Sequence, residues 1–325
     1  MTIFEAVQNN MLSPAVLFFI LGVVAALAKT DIKFPEPLYA ALTIYLLVAI
    51  GFKGGVAVSE AGLAAVWLPA LGGLLLGALI PLWCFPVLRW GKLSGVDAAS
   101  IAAHYGSVSA VTFLAVSNFL KASGVPFEGF MAALLAVMES PAIVIGILLG
   151  RRAAGGNPAG GMGSVLHEAL LGRSVFLLLG GLLVGFLSGK RGYEATAPFF
   201  VAPFQGIVAL FLLEMGFVAG RRVGDLRATG PFLIGFGIIM PIINGAAGAL
   251  AGTWLGLSPG GTAVMATLAA SASYIAAPAA MRLSLPEAKP ALSLGAALAV
   301  TFPFNVTIGI PLYYEMAQLC HRLLK

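Results

Sequence analysis

The chain alternates long apolar runs with short polar punctuation. Residues 61–88, 98–120, 228–281 and 290–314 contain no Asp, Glu, Lys or Arg. An α-helix needs about 20 apolar residues to cross a hydrocarbon core about 30 Å thick. Cut at charges and at Gly/Pro clusters, the pattern predicts ten spans, at 12–28, 37–58, 62–89, 96–120, 127–150, 166–189, 198–219, 231–254, 261–283 and 290–319. The run 228–281 is too long for one crossing, and Trp254–Gly261 is the natural turn within it.

Composition agrees with that pattern. Of 325 residues, 60% are hydrophobic and 10% charged, with a mean hydropathy of +1.00. Soluble domains carry about 25% charged residues, so the chain reads as an all-α polytopic membrane protein. Cys84 and Cys320 lack CxxC spacing, which argues against a disulfide framework or a zinc cluster. No metalloprotease, nucleophile-elbow, phosphate-loop or dinucleotide motif occurs, so an enzyme is not expected. The net charge of +5 is spread over short loops and forms no nucleic-acid patch. Met1–Asn10 holds no Lys or Arg, unlike a cleaved leader, so the first apolar run is expected to be retained.

Ten spans place both termini on one side of the bilayer. Lys29, Lys33, Arg89, Lys92, Arg151, Arg152, Arg221, Arg222, Arg227, Arg282 and Lys289 fall on the other side, and Arg173 favours it too. Lys53, Lys121, Lys190, Arg191, Arg322 and Lys325 fall with the termini. The positive-inside rule then puts the central loop in the cytoplasm and both termini outside an inner membrane.

That loop, 151–164, is a Gly-rich linker dividing the chain into halves, 1–150 and 165–325, which match weakly but in order. Gly51-Phe52 aligns with Gly216-Phe217, and Leu93-Ser94 with Leu257-Ser258. Gly106-Ser107-Val108-Ser109 aligns with Ala270-Ser271-Ala272-Ser273, and Leu135-Ala136-Val137 with Leu298-Ala299-Val300. Each half has an odd number of spans, so the second must lie inverted relative to the first. Two inverted five-helix repeats with crossing interrupted helices are an architecture of secondary transporters.

The fourth span is crowded with small and polar residues from His104 to Thr112, and the ninth from Thr267 to Tyr274, followed by Pro278. Gly and Ser weaken helix interiors. Breaks here would leave N–H groups needing partners inside hydrocarbon. A small anion can supply them at the positive ends of the half-helices. Gly106, Ser107, Ser109, Thr112, Ser271 and Ser273 are therefore the candidate substrate-binding set. Intramembrane ionisable groups default to function. Glu139, in Met138-Glu139-Ser140-Pro141, is a candidate Na⁺ ligand or proton carrier, and His104 a weaker candidate for proton or substrate contact. Glu214 is expected at the membrane surface or paired with Arg221/Arg222, and Lys53 is expected to snorkel. Gly73/Gly77, Gly181/Gly185 and Gly248/Gly252 read as helix-packing pairs.

With those residues placed, the chain resembles the sodium-dependent bicarbonate permease family (SbtA-type) over nearly its whole length. The resemblance rests on Ile50-Gly51-Phe52-Lys53-Gly54-Gly55, Val96-Asp97-Ala98, Gly106-Ser107-Val108-Ser109, Met138-Glu139-Ser140-Pro141, Ser271 to Pro278, Arg282 and Gly309-Ile310-Pro311-Leu312. It implies core and gate domains each drawn from both repeats, a homotrimer, and bicarbonate symport with Na⁺ as the coupling ion and no other cofactor. It also implies a PII-like regulatory protein on the cytoplasmic side. Ser107, Ser109, Thr112, Ser271 and Ser273 would hold the anion. Glu139 stands where the family has Asp, and Tyr274 follows Ser271-Ala272-Ser273 where the family run ends in Asp. The alternatives on the same fold are an organic-anion or proton-coupled symporter. From other classes, the alternatives are an intramembrane enzyme, a pore or a sensor.

Overall fold

The computed structural model describes residues 3–324 apart from 31, 33, 156–162, 164–166, 168–170 and 223–225. Among the described residues every regular element is helical. In chain order these are α1 (Ile3–Met11), α2 (Pro14–Leu27), α3 (Glu36–Ala61), α4 (Leu63–Trp90), α5 (Gly95–Gly106), α6 (Ala110–Ala122) and α7 (Met131–Ala153). They continue as α8 (Arg173–Phe200), α9 (Phe204–Arg222), α10 (Leu226–Trp254), α11 (Pro259–Ala269), α12 (Ala276–Ser284) and α13 (Pro290–Leu324).

Eight helical segments among the described residues are long and apolar enough to cross a bilayer: α3, α4, α5 with α6, α7, α8, α9, α10 and α13. The chain is a multi-pass membrane protein. Two of the ten expected spans fall outside that count. The first forms the shorter helix α2, and the ninth is split into α11 and α12. Helix α1 was not expected, because nine residues are too few to cross. The expected linker begins as helix, since α7 runs on to Ala153, and residues 156–162 and 164 lie outside the described set. The sixth span was expected to end at 189. There Gly189 takes φ 56° and ψ −155°, and a second helical stretch follows to Phe200. A left-handed φ of this kind suits glycine, which has no Cβ to clash.

Glycine also sets how closely the helices approach. In α3, a Cβ on Gly51 or Gly55 would strike the Leu178 or Leu182 carbonyl of α8, and one on Gly185 of α8 would strike the Phe52 carbonyl. Helices α2 and α9 meet in the same way, Gly22 against the Leu213 carbonyl and Gly216 against the Phe19 carbonyl. The three pairs read as packing glycines all sit at such seams. A Cβ on Gly77 would lie 2.8 Å from the Met138 carbonyl oxygen, and one on Gly248 2.7 Å from the Ala266 Cα. Lipid is as apolar as Leu, so close backbone contact rather than water exclusion holds such helices together.

Burial is graded accordingly. The α5–α6 segment is almost wholly buried, as is α11, so the interrupted helices occupy the centre of the molecule. Helices α2, α4 and α8 turn Leu21, Trp67, Leu75, Leu183 and Leu187 outward, an apolar rim suited to lipid.

The glycine seams predict a position-specific cost. Gly185→Ala should destabilise the detergent-solubilised protein by about 1–3 kcal/mol through overpacking. Gly180→Ala, with nothing within 4 Å of its Cβ, should be neutral or stabilising. Thermal unfolding of the two variants side by side checks this, and equal midpoints would refute the seam.

Candidate functional site: the crossing of two interrupted helices

The two central spans begin alike. Ser94 caps α5, its Oγ accepting from Asp97 N at 3.0 Å, and Ser258 caps α11, accepting from Gly261 N at 3.0 Å. Each then stops midway, at 107–109 and at 270–275. Serine hydroxyls also serve the starts of the second halves. Ser109 Oγ accepts from Thr112 N at 3.2 Å, and Ser273 Oγ accepts from Ala277 N at 3.3 Å. A serine hydroxyl satisfies one of the N–H groups that a helix start leaves unpaired.

The breaks are tied to each other. Ser109 N donates to Ser271 Oγ at 2.9 Å, and Ser273 N donates to the His104 and Ser107 carbonyls at 2.7 and 3.1 Å. Ser271 Oγ in turn donates to the Leu268 carbonyl at 2.7 Å. Part of the N–H demand expected to fall on an anion is therefore met by the opposite segment. Helix α13 secures the rest of the frame. Asn305 Nδ2 donates to the Ala270 carbonyl at 2.9 Å, and Asn305 Oδ1 accepts from Tyr313 OH at 2.7 Å. Two π-helical stretches, Gly295–Thr301 and Asn305–Gly309, flank Pro303 and carry Thr301 and Asn305. Thr301 Oγ1 donates to the Gly237 carbonyl at 2.7 Å and lies 2.6 Å from Tyr105 OH. Asn10 of α1 donates to the Val306 carbonyl at 2.6 Å, beside the second π stretch.

A cavity of about 10 Å³ lies at the crossing, lined by Ser109, Ser273, Tyr274, Glu139, Ser174 and Leu47 among others. That volume holds about one water. Glu139 is only 5% exposed, and its Oε2 has no hydrogen-bond partner among the described residues. A buried, unpartnered carboxylate oxygen calls for a proton or a cation. The same cavity is lined by four hydroxyl-bearing residues, Ser109, Ser174, Ser273 and Tyr274, and by apolar Leu47, Val108, Ala110 and Ile275; hydroxyl oxygens are the kind of ligand a hard cation takes.

The sequence-derived set divides at this point. Ser109, Ser273, Glu139 and Tyr274 share the cavity, with Ser107 and Ser271 in the hydrogen bonds behind it. Gly106 does a different job. A Cβ there would lie 2.8 Å from the Ala142 Cβ and would strike the Pro81 ring, so the position packs α5 against α4 and α7. Thr112 sits in the first turn of α6, outside the cavity lining. His104 faces away, with Nδ1 2.7 Å from the Ser100 carbonyl, on a separate cavity of about 310 Å³ shared with Arg282 and Ser293. Glu214 is 6% exposed rather than at the surface, and its Oε2 is also without a partner. Burial against α2 and α3 overrides the reach to the membrane face expected for it.

Three contributors were not found from sequence. Ser174 lies within the expected sixth span, in the first turn of α8, Leu47 is one apolar residue among many, and Asn305 lies in an uncharged run. An isolated Asn in the middle of that uncharged span was a signal available for the last. Lys53 does not simply snorkel: its ammonium sits 3.0 Å from the centre of the Phe204 ring and lines a large cavity.

A multi-pass bundle whose centre is two interrupted helices meeting at a buried carboxylate is an arrangement that secondary transporters use. Residues 14–318 match the model of the Na⁺-dependent bicarbonate transporter superfamily. The chain belongs to that superfamily. Among curated proteins no significant match was found.

The hydrogen bonds at the crossing predict a graded response. Ser271→Ala removes the acceptor of Ser109 N in a buried setting and should cost about 1–3 kcal/mol. Ser117→Ala removes a buried hydroxyl with no partner and should cost little or stabilise. Urea or thermal unfolding distinguishes them, and an equal loss in both would contradict the assigned bond.

Proposed function

We propose that the protein is a Na⁺-coupled bicarbonate importer working by alternating access, with both solutes meeting at the crossing of α5–α6 and α11–α12. The observation carrying this reading is Glu139, a buried carboxylate with a free oxygen in the same small cavity as Ser109 and Ser273. A bare carboxylate repels an oxyanion, and in a low-dielectric site the repulsion is large. Na⁺ ligated by Glu139 and neighbouring hydroxyls reverses the sign, so the cation must bind for the anion to be held. Coupling follows from that electrostatic order.

The cavity is too small for bicarbonate as it stands, so loading requires its walls to part. Those walls come from two groups of helices. Leu47 and Ser174 belong to α3 and α8, joined by their glycine seam, whereas Ser109, Glu139 and Ser273 belong to the interrupted-helix block. Movement of one group against the other would open the cavity to either side. A cavity of about 460 Å³ on the Arg173 side shares Ser174 and Ile275 with it, which supports opening toward that face.

The finer organisation follows the same reading. Matched serine caps at Ser94 and Ser258, and matched seams α3–α8 and α2–α9, support ten membrane segments in two inverted halves, 1–150 and 165–325. The Lys/Arg distribution supports an inner-membrane orientation with the termini outside and the central loop cytoplasmic. A homotrimer and a PII-like partner complete the reading by family resemblance.

Proteoliposome uptake of labelled bicarbonate tests it. The wild type should show saturable uptake stimulated by an inward Na⁺ gradient. Glu139→Gln should lose that stimulation by about tenfold or more, the equivalent of ~1.4 kcal/mol of cation binding. Unchanged Na⁺ dependence in the variant would remove Glu139 from coupling. Absence of uptake by the folded wild type would overturn the substrate.

A further inference from the structure

A cavity of about 550 Å³ lies away from the crossing, between α3, α6, the 123–130 loop and α9. Its lining is mostly apolar but includes two ammonium groups, Lys53 and Lys121, with Glu60 as the one carboxylate. Lys53 is half-buried and rests on the Phe204 ring, and no ion pair involves either lysine among the described residues. Ser117, 8% exposed, lines the same space with an unpartnered Oγ. A half-buried ammonium with no ion-pair contact is costly, and with Lys121 the cavity carries more positive than negative charge. One small oxyanion would balance the excess.

The position of this cavity gives it a purpose. Its inner wall is Ile50 of α3 with Phe113 and Leu114 of α6. One helical turn further along the same two helices lie Leu47 and Ala110, which line the crossing cavity. Ile50, Phe113 and Leu114 are therefore the closed partition between the two spaces, each buried to 7% exposure or less.

We infer that Lys53 and Lys121 form an anion vestibule, a second site that draws a small oxyanion, with part of its hydration shell, to the closed side of the crossing. It rests on the proposed function only for the identity of the anion. The cavity has room for a hydrated ion, and its two cations replace part of the water the anion sheds before passing the partition. The site raises the local anion concentration and leaves the coupling step to Glu139.

The test reads local potential directly and does not depend on transport. A single cysteine is placed in the cavity, Ala57→Cys, with Asn118→Cys as a second reporter, in a Cys320→Ser background; Cys84 is fully buried. The purified protein is treated with an anionic sulfonatoethyl and a cationic trimethylammonioethyl methanethiosulfonate. The anionic-to-cationic rate ratio, normalised to a free thiol, should fall on the order of tenfold when Lys53→Gln and Lys121→Gln are added. Lys→Arg at both positions should restore it, and bicarbonate should slow labelling only while the cations are present. A ratio indifferent to the lysines, or no labelling at either reporter, would overturn the vestibule. A preserved ratio without bicarbonate uptake would leave the vestibule standing and overturn the substrate reading instead.

Discussion

Every backbone N–H and C=O inside hydrocarbon must find a partner within the protein, and this chain breaks two helices at that depth. The breaks are tolerable because they are placed against each other. Ser109 N finds the Ser271 hydroxyl, Ser273 N finds the His104 and Ser107 carbonyls, and Asn305 takes the Ala270 carbonyl. Each break takes hydrogen bonds from the other, which ties their positions together. The almost complete burial of α5, α6 and α11 follows, since exposed backbone at this level would face lipid with nothing to bind it.

The same constraint shapes the supporting helices. The π-helical turns of α13 widen the helix around Pro303 and bring Thr301 and Asn305 toward the centre. The carbonyls this leaves at Val306 and Thr307 are taken by Asn10, which gives the short helix α1 a structural task. Outside this polar frame the bundle relies on glycine seams, where α3 meets α8 and α2 meets α9 nearly backbone to backbone. Close glycine contacts also run through the interrupted-helix block, at Gly77 on Met138 and Gly248 on Ala266, where they add to the polar bonds. Glu139 and the small cavity lie where that block meets α3 and α8.

Charge is distributed to suit that arrangement. The ionisable groups sit in different environments: Glu139 shares its cavity with hydroxyl-bearing side chains, Lys53 lies over an aromatic face, and Glu214 is buried on α9. A carboxylate at the crossing and ammonium groups one vestibule away would give an entering anion an attractive outer stop and a cation-dependent inner one.

The sequence by itself determined the class of the protein, because hydrocarbon imposes helix length and excludes charge residue by residue. It also located both helix breaks, since Gly106, Ser107, Ser109, Ser271 and Ser273 are weaker helix formers whose spacing repeats between the halves. It singled out Glu139 because a carboxylate in an apolar run is conspicuous. Tertiary structure alone decided which of those residues share a space. Gly106 turned to packing, His104 to another cavity and Glu214 to the interior, whereas Ser174, Leu47 and Asn305 came to the crossing from distant spans. These outcomes depend on which face of each helix meets which neighbour. In a membrane helix that is apolar all round, the local pattern does not mark a face, so only the packed bundle assigns it.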